Sequence, residues 1–184
     1  QSIIFTMDKG GTENAQIYLL DTSNASAKLL SDGKSRNGGP LWSTDGEKIA
    51  FQSTKRNGRS NDIWIMNVTS NEEAQMVLES PDGTWWGASD WTEDDKTILV
   101  QNYVSITNSK IYLVDLETQK KQLILGKEKD PSANSALAFD KDDKGVFYIT
   151  DKFSQFSQLT YHNLENGEDV IISSEIPWDV DGFA

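Results

Sequence analysis

The chain has no cysteine, which excludes a disulfide framework, a thiolate metal centre and a cysteine nucleophile, and leaves the redox compartment open. It has one histidine, His162. A serine–histidine–aspartate triad would therefore have a single base to draw on, and a zinc or manganese site would find one imidazole where several converging ligands are wanted. No Gly-x-Ser-x-Gly elbow occurs, so the nucleophile of an α/β-hydrolase has no place here. No apolar run approaches about 18 residues and no signal-peptide core is seen, so no membrane partner is expected. Basic residues are outnumbered, 17 Lys and Arg against 29 Asp and Glu, for a net charge of −12. That balance opposes phosphate backbones, and nucleic acid is not an expected partner.

What is present is aromatic surface and a repeat. Six Trp, five Tyr and seven Phe in 184 residues supply the large buried side chains of a folded domain. Four segments superpose with a period close to 48 residues, the signature of a repeat architecture. The clearest copy runs from Trp42 through the turn Asp45-Gly46 to Ile49-Ala50-Phe51, then to Asp62-Ile63-Trp64-Ile65-Met66-Asn67. The next runs from Trp91 through Asp94-Asp95 to Ile98-Leu99-Val100, then Lys110-Ile111-Tyr112-Leu113-Val114-Asp115. The third runs from Phe139 through Asp142-Asp143 to Val146-Phe147-Tyr148, then Gln158-Leu159-Thr160-Tyr161-His162-Asn163. A partial first copy gives Ile3-Ile4-Phe5 and Gln16-Ile17-Tyr18-Leu19-Leu20-Asp21.

Each copy reads as four strands. The first ends at the aromatic slot, the second follows a tight Asp-Gly or Asp-Asp turn, and the third is the Ile-Trp-Ile-Met run or its equivalent. Weaker fourth strands fall at 27–30, 76–78, 122–125 and 170–172. The third strands are apolar on successive residues and too short for helices, as expected of strands covered on both faces. The expected fold is all-β: a β-propeller of four-stranded antiparallel blades, about four of them and a partial ring. The blades are placed at approximately 1–36, 37–84, 85–132 and 133–178, followed by the start of a further strand at Phe183-Ala184. Because both ends fall inside a unit, a longer parent with more blades is expected, or a homodimer that completes a ring by lending terminal strands.

The stretch from Gly39-Pro40-Leu41-Trp42 to Phe51-Gln52-Ser53, continued by Asn61-Asp62-Ile63-Trp64-Ile65-Met66-Asn67, resembles the TolB-type propeller repeat. That repeat also builds the amino-terminal propellers of prolyl oligopeptidase family enzymes. Gly83-Thr84-Trp85-Trp86-Gly87, Asn102-Tyr103-Val104-Ser105-Ile106 and the ending Ile176-Pro177-Trp178-Asp179-Val180-Asp181-Gly182-Phe183-Ala184 are more similar to bacterial relatives of dipeptidyl and acylaminoacyl peptidases than to TolB. The resemblance implies a non-catalytic propeller portion of a serine peptidase, gating and positioning peptide for a carboxy-terminal α/β-hydrolase domain. The alternatives are a TolB-like scaffold that binds peptide or protein partners through its ring face, and a carbohydrate-active propeller, which the histidine count disfavours.

No residue is expected to be catalytic, to bind a cofactor or to hold a metal. His162 occupies the slot of Leu20, Met66 and Val114 and is expected to pack between blades. The Asx series Asp21, Asn67, Asp115 and Asn163 is expected to bond its own backbone two residues on. Glu93-Asp94-Asp95, the acidic stretch Asp140-Lys141-Asp142-Asp143 and the pair Asp179 and Asp181 lack the spacing of a calcium loop and read as turn chemistry. Gly10-Gly11 and Gly38-Gly39 lack the context of a phosphate loop. The insert 53–61, with Lys55, Arg56 and Arg59, is the one basic patch and reads as a solvated loop. Trp85-Trp86 fits either a recognition surface or aromatic packing between blades.

Overall fold

The computed structural model describes residues 2–70, 72–81 and 83–182. Among them there are fifteen strands and no helix. The first sheet holds β1 (Ser2–Met7), β2 (Gln16–Asp21) and β3 (Ser26–Leu29), and the second holds β4 (Asn37–Trp42), β5 (Lys48–Ser53), β6 (Asp62–Asn67) and β7 (Gln75–Leu78). The third holds β8 (Trp85–Trp91), β9 (Thr97–Ser105), β10 (Asn108–Asp115) and β11 (Lys121–Leu125), and the fourth holds β12 (Asn134–Phe139), β13 (Gly145–Thr150), β14 (Gln158–Asn163) and β15 (Asp169–Ile171). Every sheet is a meander in chain order. The fold is thus all-β, four antiparallel propeller blades, the first of them with three strands. The expected further strand at Phe183-Ala184 lies outside the described residues.

The repeat is exact in register. Ile3 pairs with Leu20, Ile49 with Met66, Ile98 with Val114 and Val146 with His162. The Asp-Gly turn recurs with different chemistry, since Gly46, Asp95 and Asp143 all hold a left-handed φ, of 72°, 55° and 57°. Aspartate is among the few side chains that tolerate that region, so Asp-Asp serves where Asp-Gly stood. The Asx series bonds its own backbone as expected two residues on at three positions, Asp21 accepting from the N–H of Ser23, Asn67 from Thr69 and Asn163 from Glu165, whereas Asp115 accepts from Thr118, three residues on.

The chain divides into two compact units, 1–88 and 89–184, with β8 running across the division. In the first unit Ile17, Ile49, Phe51, Met66 and Val68 form the core. In the second the core is Leu99, Ile111, Leu125, Phe139, Val146 and Tyr148. Each unit also carries a buried asparagine clamp between its sheets. Asn37 donates through Nδ2 to the carbonyls of Ala15 and Ser35, and Asn134 donates to those of Ser109 and Ser132. These amides tie the first strand of one sheet to the sheet before it, at Ala15 just ahead of β2 and at Ser109 in β10, and the buried amide nitrogens are thereby satisfied.

Candidate functional site

Antiparallel meanders put the turns between first and second strands, and between third and fourth, at one end, and the hairpins between second and third strands at the other. In the second unit the first end is acidic and self-bonded. Asp94 accepts from Thr92 and from the N–H of Lys96, Asp140 accepts from the N–H groups of Asp142 and Lys144 and from the Tyr161 hydroxyl, and Asp143 accepts from the N–H of Glu93. The hydrogen bond to Asp140 pushes the Tyr161 hydroxyl up to about 12. Gly145 is required here because a Cβ would overlap the Tyr161 ring. The acidic stretches are therefore turn chemistry, and no metal-holding group of three or more His, Asp or Glu occurs among the described residues.

The opposite end of the second unit is apolar. The hairpin of β9 and β10 carries Tyr103, Val104 and Ile106, the last 82% exposed. Phe153 sits in the next loop at that end, and Ile176 and Trp178 follow β15, with Trp178 71% exposed. The segment after β15 is bound to that loop: Val180 N–H donates to the Ser157 carbonyl at 2.8 Å, and Ser157 N–H to Asp179 Oδ1 at 2.7 Å. Six large apolar side chains on one end mark an interaction surface more than scattered exposure would. The residues between Val100 and Lys110 are taken up by β9 and β10, which extend into a long hairpin.

The equivalent end of the first unit carries the basic insert, and its charges are mostly engaged within the unit. Arg56 forms a bidentate pair with Asp62, at 2.8 and 3.0 Å, and also meets Glu79. Asp62 is wholly buried and accepts the N–H of Ser80 as well. Lys55 lies over the Trp64 ring at 5.3 Å. The two adjacent tryptophans part company: Trp86 is buried, whereas Trp85 is half-exposed with its ring over Gly87.

His162 is buried in the second unit, in the slot read from the repeat. It is not packed as its equivalents are. Its Nδ1 lies 2.8 Å from Asp169 Oδ1, Tyr148 donates its hydroxyl to the same oxygen at 3.0 Å, and Lys152 Nζ donates to Oδ2 at 3.2 Å. Burial raises the Asp169 carboxyl, but the bonds from His162, Tyr148 and Lys152 outweigh it and hold the group below its ordinary value. Burial and the neighbouring Asp169 charge push the Tyr148 hydroxyl upward. His162, Asp169 and Lys152 border a cavity of 180 Å³ between β11, its following turn and the fourth sheet.

These features can be set beside known proteins. Residues 1–149 match the model of the family described as prolyl oligopeptidase, N-terminal β-propeller domain. The chain belongs to that family. It is 25% identical over 164 residues to an uncharacterized peptidase, YuxL, of Bacillus subtilis (strain 168), covering 84% of this chain and 23% of that protein. The chain thus spans about a quarter of that relative. Among solved structures, TolB from Acinetobacter baumannii superposes with a TM-score of 0.76 at 18% identity, over 96% of this chain and 42% of TolB. A putative TolB from Agrobacterium tumefaciens gives 0.70 at 12% identity, over 92% and 57%. A chain from a study of two prolyl endopeptidases gives 0.60 at 15%, over 92% and 28%. At these identities the structural likenesses establish the fold.

Proposed function

We propose that this chain is the non-catalytic propeller portion of a prolyl oligopeptidase-like serine peptidase, gating and positioning peptide for an α/β-hydrolase domain of the same parent. The observation that carries the reading is the family match over residues 1–149. It is supported by the apolar end built from Tyr103, Val104, Ile106, Phe153, Ile176 and Trp178, which offers a docking surface for that second domain. Such a propeller contributes no proton transfer. Its work is to restrict access and align the peptide, which raises the rate through orientation and exclusion of water.

The test is made on the parent protein. Peptide hydrolysis sensitive to a serine-reactive fluorophosphonate is expected, and Ile106→Asp with Trp178→Ser should alter the preference between short and long peptides while short-substrate turnover survives. Absence of any serine hydrolase activity would defeat the reading. A TolB-like scaffold is the second reading, favoured by the higher TM-scores of the two TolB chains. It predicts that the parent lacks a Gly-x-Ser-x-Gly elbow. A homodimer completing a ring is a further proposal, with β1 as the open edge of its sheet. Light scattering at 20.6 kDa would refute it, and twice that mass would support it.

A further inference from the structure

The two units contain the same groove built twice from different residues. In the first unit its floor is Phe51 and Met66, with Ala74 beside them. The strand pairing gives their counterparts in the second unit. Phe51 faces Trp64 and Tyr148 faces Thr160, whereas Met66 pairs with Ile49 and His162 with Val146, and His162 in turn pairs with Asp169. The apolar set Phe51, Met66 and Ala74 is thus replaced by Tyr148, His162 and Asp169, while Lys55 and Lys152 keep one position. A blade closes without the polar set, as the first unit demonstrates, so Tyr148, His162 and Asp169 are not a requirement of the fold. Burying such groups costs free energy unless each finds a partner, and here they partner one another.

The geometry fixes what the site offers. Nδ1 of His162 is engaged by Asp169 Oδ1 at 2.8 Å, which leaves Nε2 as the remaining polar atom of the ring. Nε2 meets no partner among the described residues, and His162 lines the cavity. Asp130 adds an acceptor to the lining, Lys127 and Lys152 add donors, and Leu123 and Ile124 form an apolar wall. At 180 Å³ the cavity is smaller than the roughly 300 Å³ at which drug-sized sites begin and a little larger than the ~150 Å³ that accommodates one benzene ring. A carboxylate ligand would leave the acceptors unanswered and an ammonium ligand the donors. A hydroxyl serves both, and the C–H face of a single ring suits the wall.

We propose that the groove between β11 and the fourth sheet is a binding site for a small polyhydroxylated ring, which sets a hydroxyl against Nε2 of His162 and lays its apolar face on Leu123 and Ile124. The site does not depend on the peptidase reading.

Because His162 is the sole histidine, its ring nitrogens give one unambiguous signal in a long-range 15N–1H correlation spectrum. The 184-residue chain is titrated with D-glucose, and in parallel with acetate and methylammonium. Glucose at millimolar concentration should shift Nε2 and the amides of 123–127, and the two controls should not. The triple variant Tyr148→Phe, His162→Met, Asp169→Ala, which restores the residues of the sister groove, should weaken the amide response at least tenfold. Leu123→Arg, a surface change that fills the mouth, should do the same and keeps the test open if the triple variant does not fold. Equal shifts with acetate or methylammonium would overturn the ligand class. No shift with glucose, or unchanged binding in both variants, would overturn the site.

Discussion

Replacing Asp169 with alanine removes the acceptor shared by three donors and exposes how the polar groove is held. Tyr148 is fully buried, so its hydroxyl loses its partner where water cannot replace it, at a cost of about 1–3 kcal/mol. Lys152 is more than a third exposed and its ion pair is screened, so its loss adds at most about 0.5 kcal/mol. The hydrogen bond to His162 adds about 1 kcal/mol, for a total of about 2–4 kcal/mol in Asp169→Ala. Adding Tyr148→Phe should then recover about 1–2 kcal/mol, because the orphaned hydroxyl disappears and the site approaches the Phe51 and Ala74 pairing already present in the first unit. Urea denaturation of the wild type, both single variants and the double variant, with the slope of each transition compared, measures the coupling. A loss below about 0.5 kcal/mol for Asp169→Ala, or a double variant less stable than Asp169→Ala alone, would refute the reasoning.

Gly46→Ala should destabilise the first unit by about 1–2 kcal/mol although a Cβ there would meet nothing within 4 Å, since the cost is the left-handed φ of 72° alone; thermal denaturation reads it. Arg56→Ala should cost about 3–5 kcal/mol and exceed Asp62→Ala, because the first strands a carboxylate with no solvent exposure whereas the second frees a guanidinium that already reaches solvent; the order of the two denaturation midpoints decides. The carboxyls of Asp32, Asp140 and Asp169 lie below their ordinary value in the folded chain, burial being outweighed in each by hydrogen bonds. A group depressed on folding stabilises above its unfolded pKa and loses that contribution as pH falls through the folded one. Stability should therefore hold from neutrality to about pH 5 and decline steadily below about pH 4, with a shallower decline in Asp169→Asn, measured by denaturation midpoints across pH.

The repeat made the architecture readable. Six residues separate Asp45 from Phe51, Asp94 from Val100 and Asp142 from Tyr148, and equal spacing between a turn and a strand forces equal register once the sheets pair. Strand bounds were legible for the same reason, although β9 and β10 extend past the expected ends because 103–108 closes as a tight hairpin. The slot of His162 was legible too, but not its company. Asp169 lies seven residues away at the end of a weak outer strand and Tyr148 fourteen residues before it, and neither spacing carries a motif. The apolar end escaped in the same manner, since Ile106, Phe153 and Trp178 are scattered along the chain and read singly as ordinary exposed residues.

Sequence by itself determined the blade: period, turn chemistry and the doubly covered third strand are local facts, and local facts survive being read along a line. Tertiary structure alone decided that Arg56 is bound to a buried Asp62, that one end of the second unit is apolar, and that a histidine in a packing slot shares a carboxylate with a tyrosine and a lysine. Those juxtapositions arise when strands pair side by side, so residues distant in the chain become neighbours at positions fixed by register, and only the folded sheet brings their charges and hydrogen-bonding groups within reach of one another.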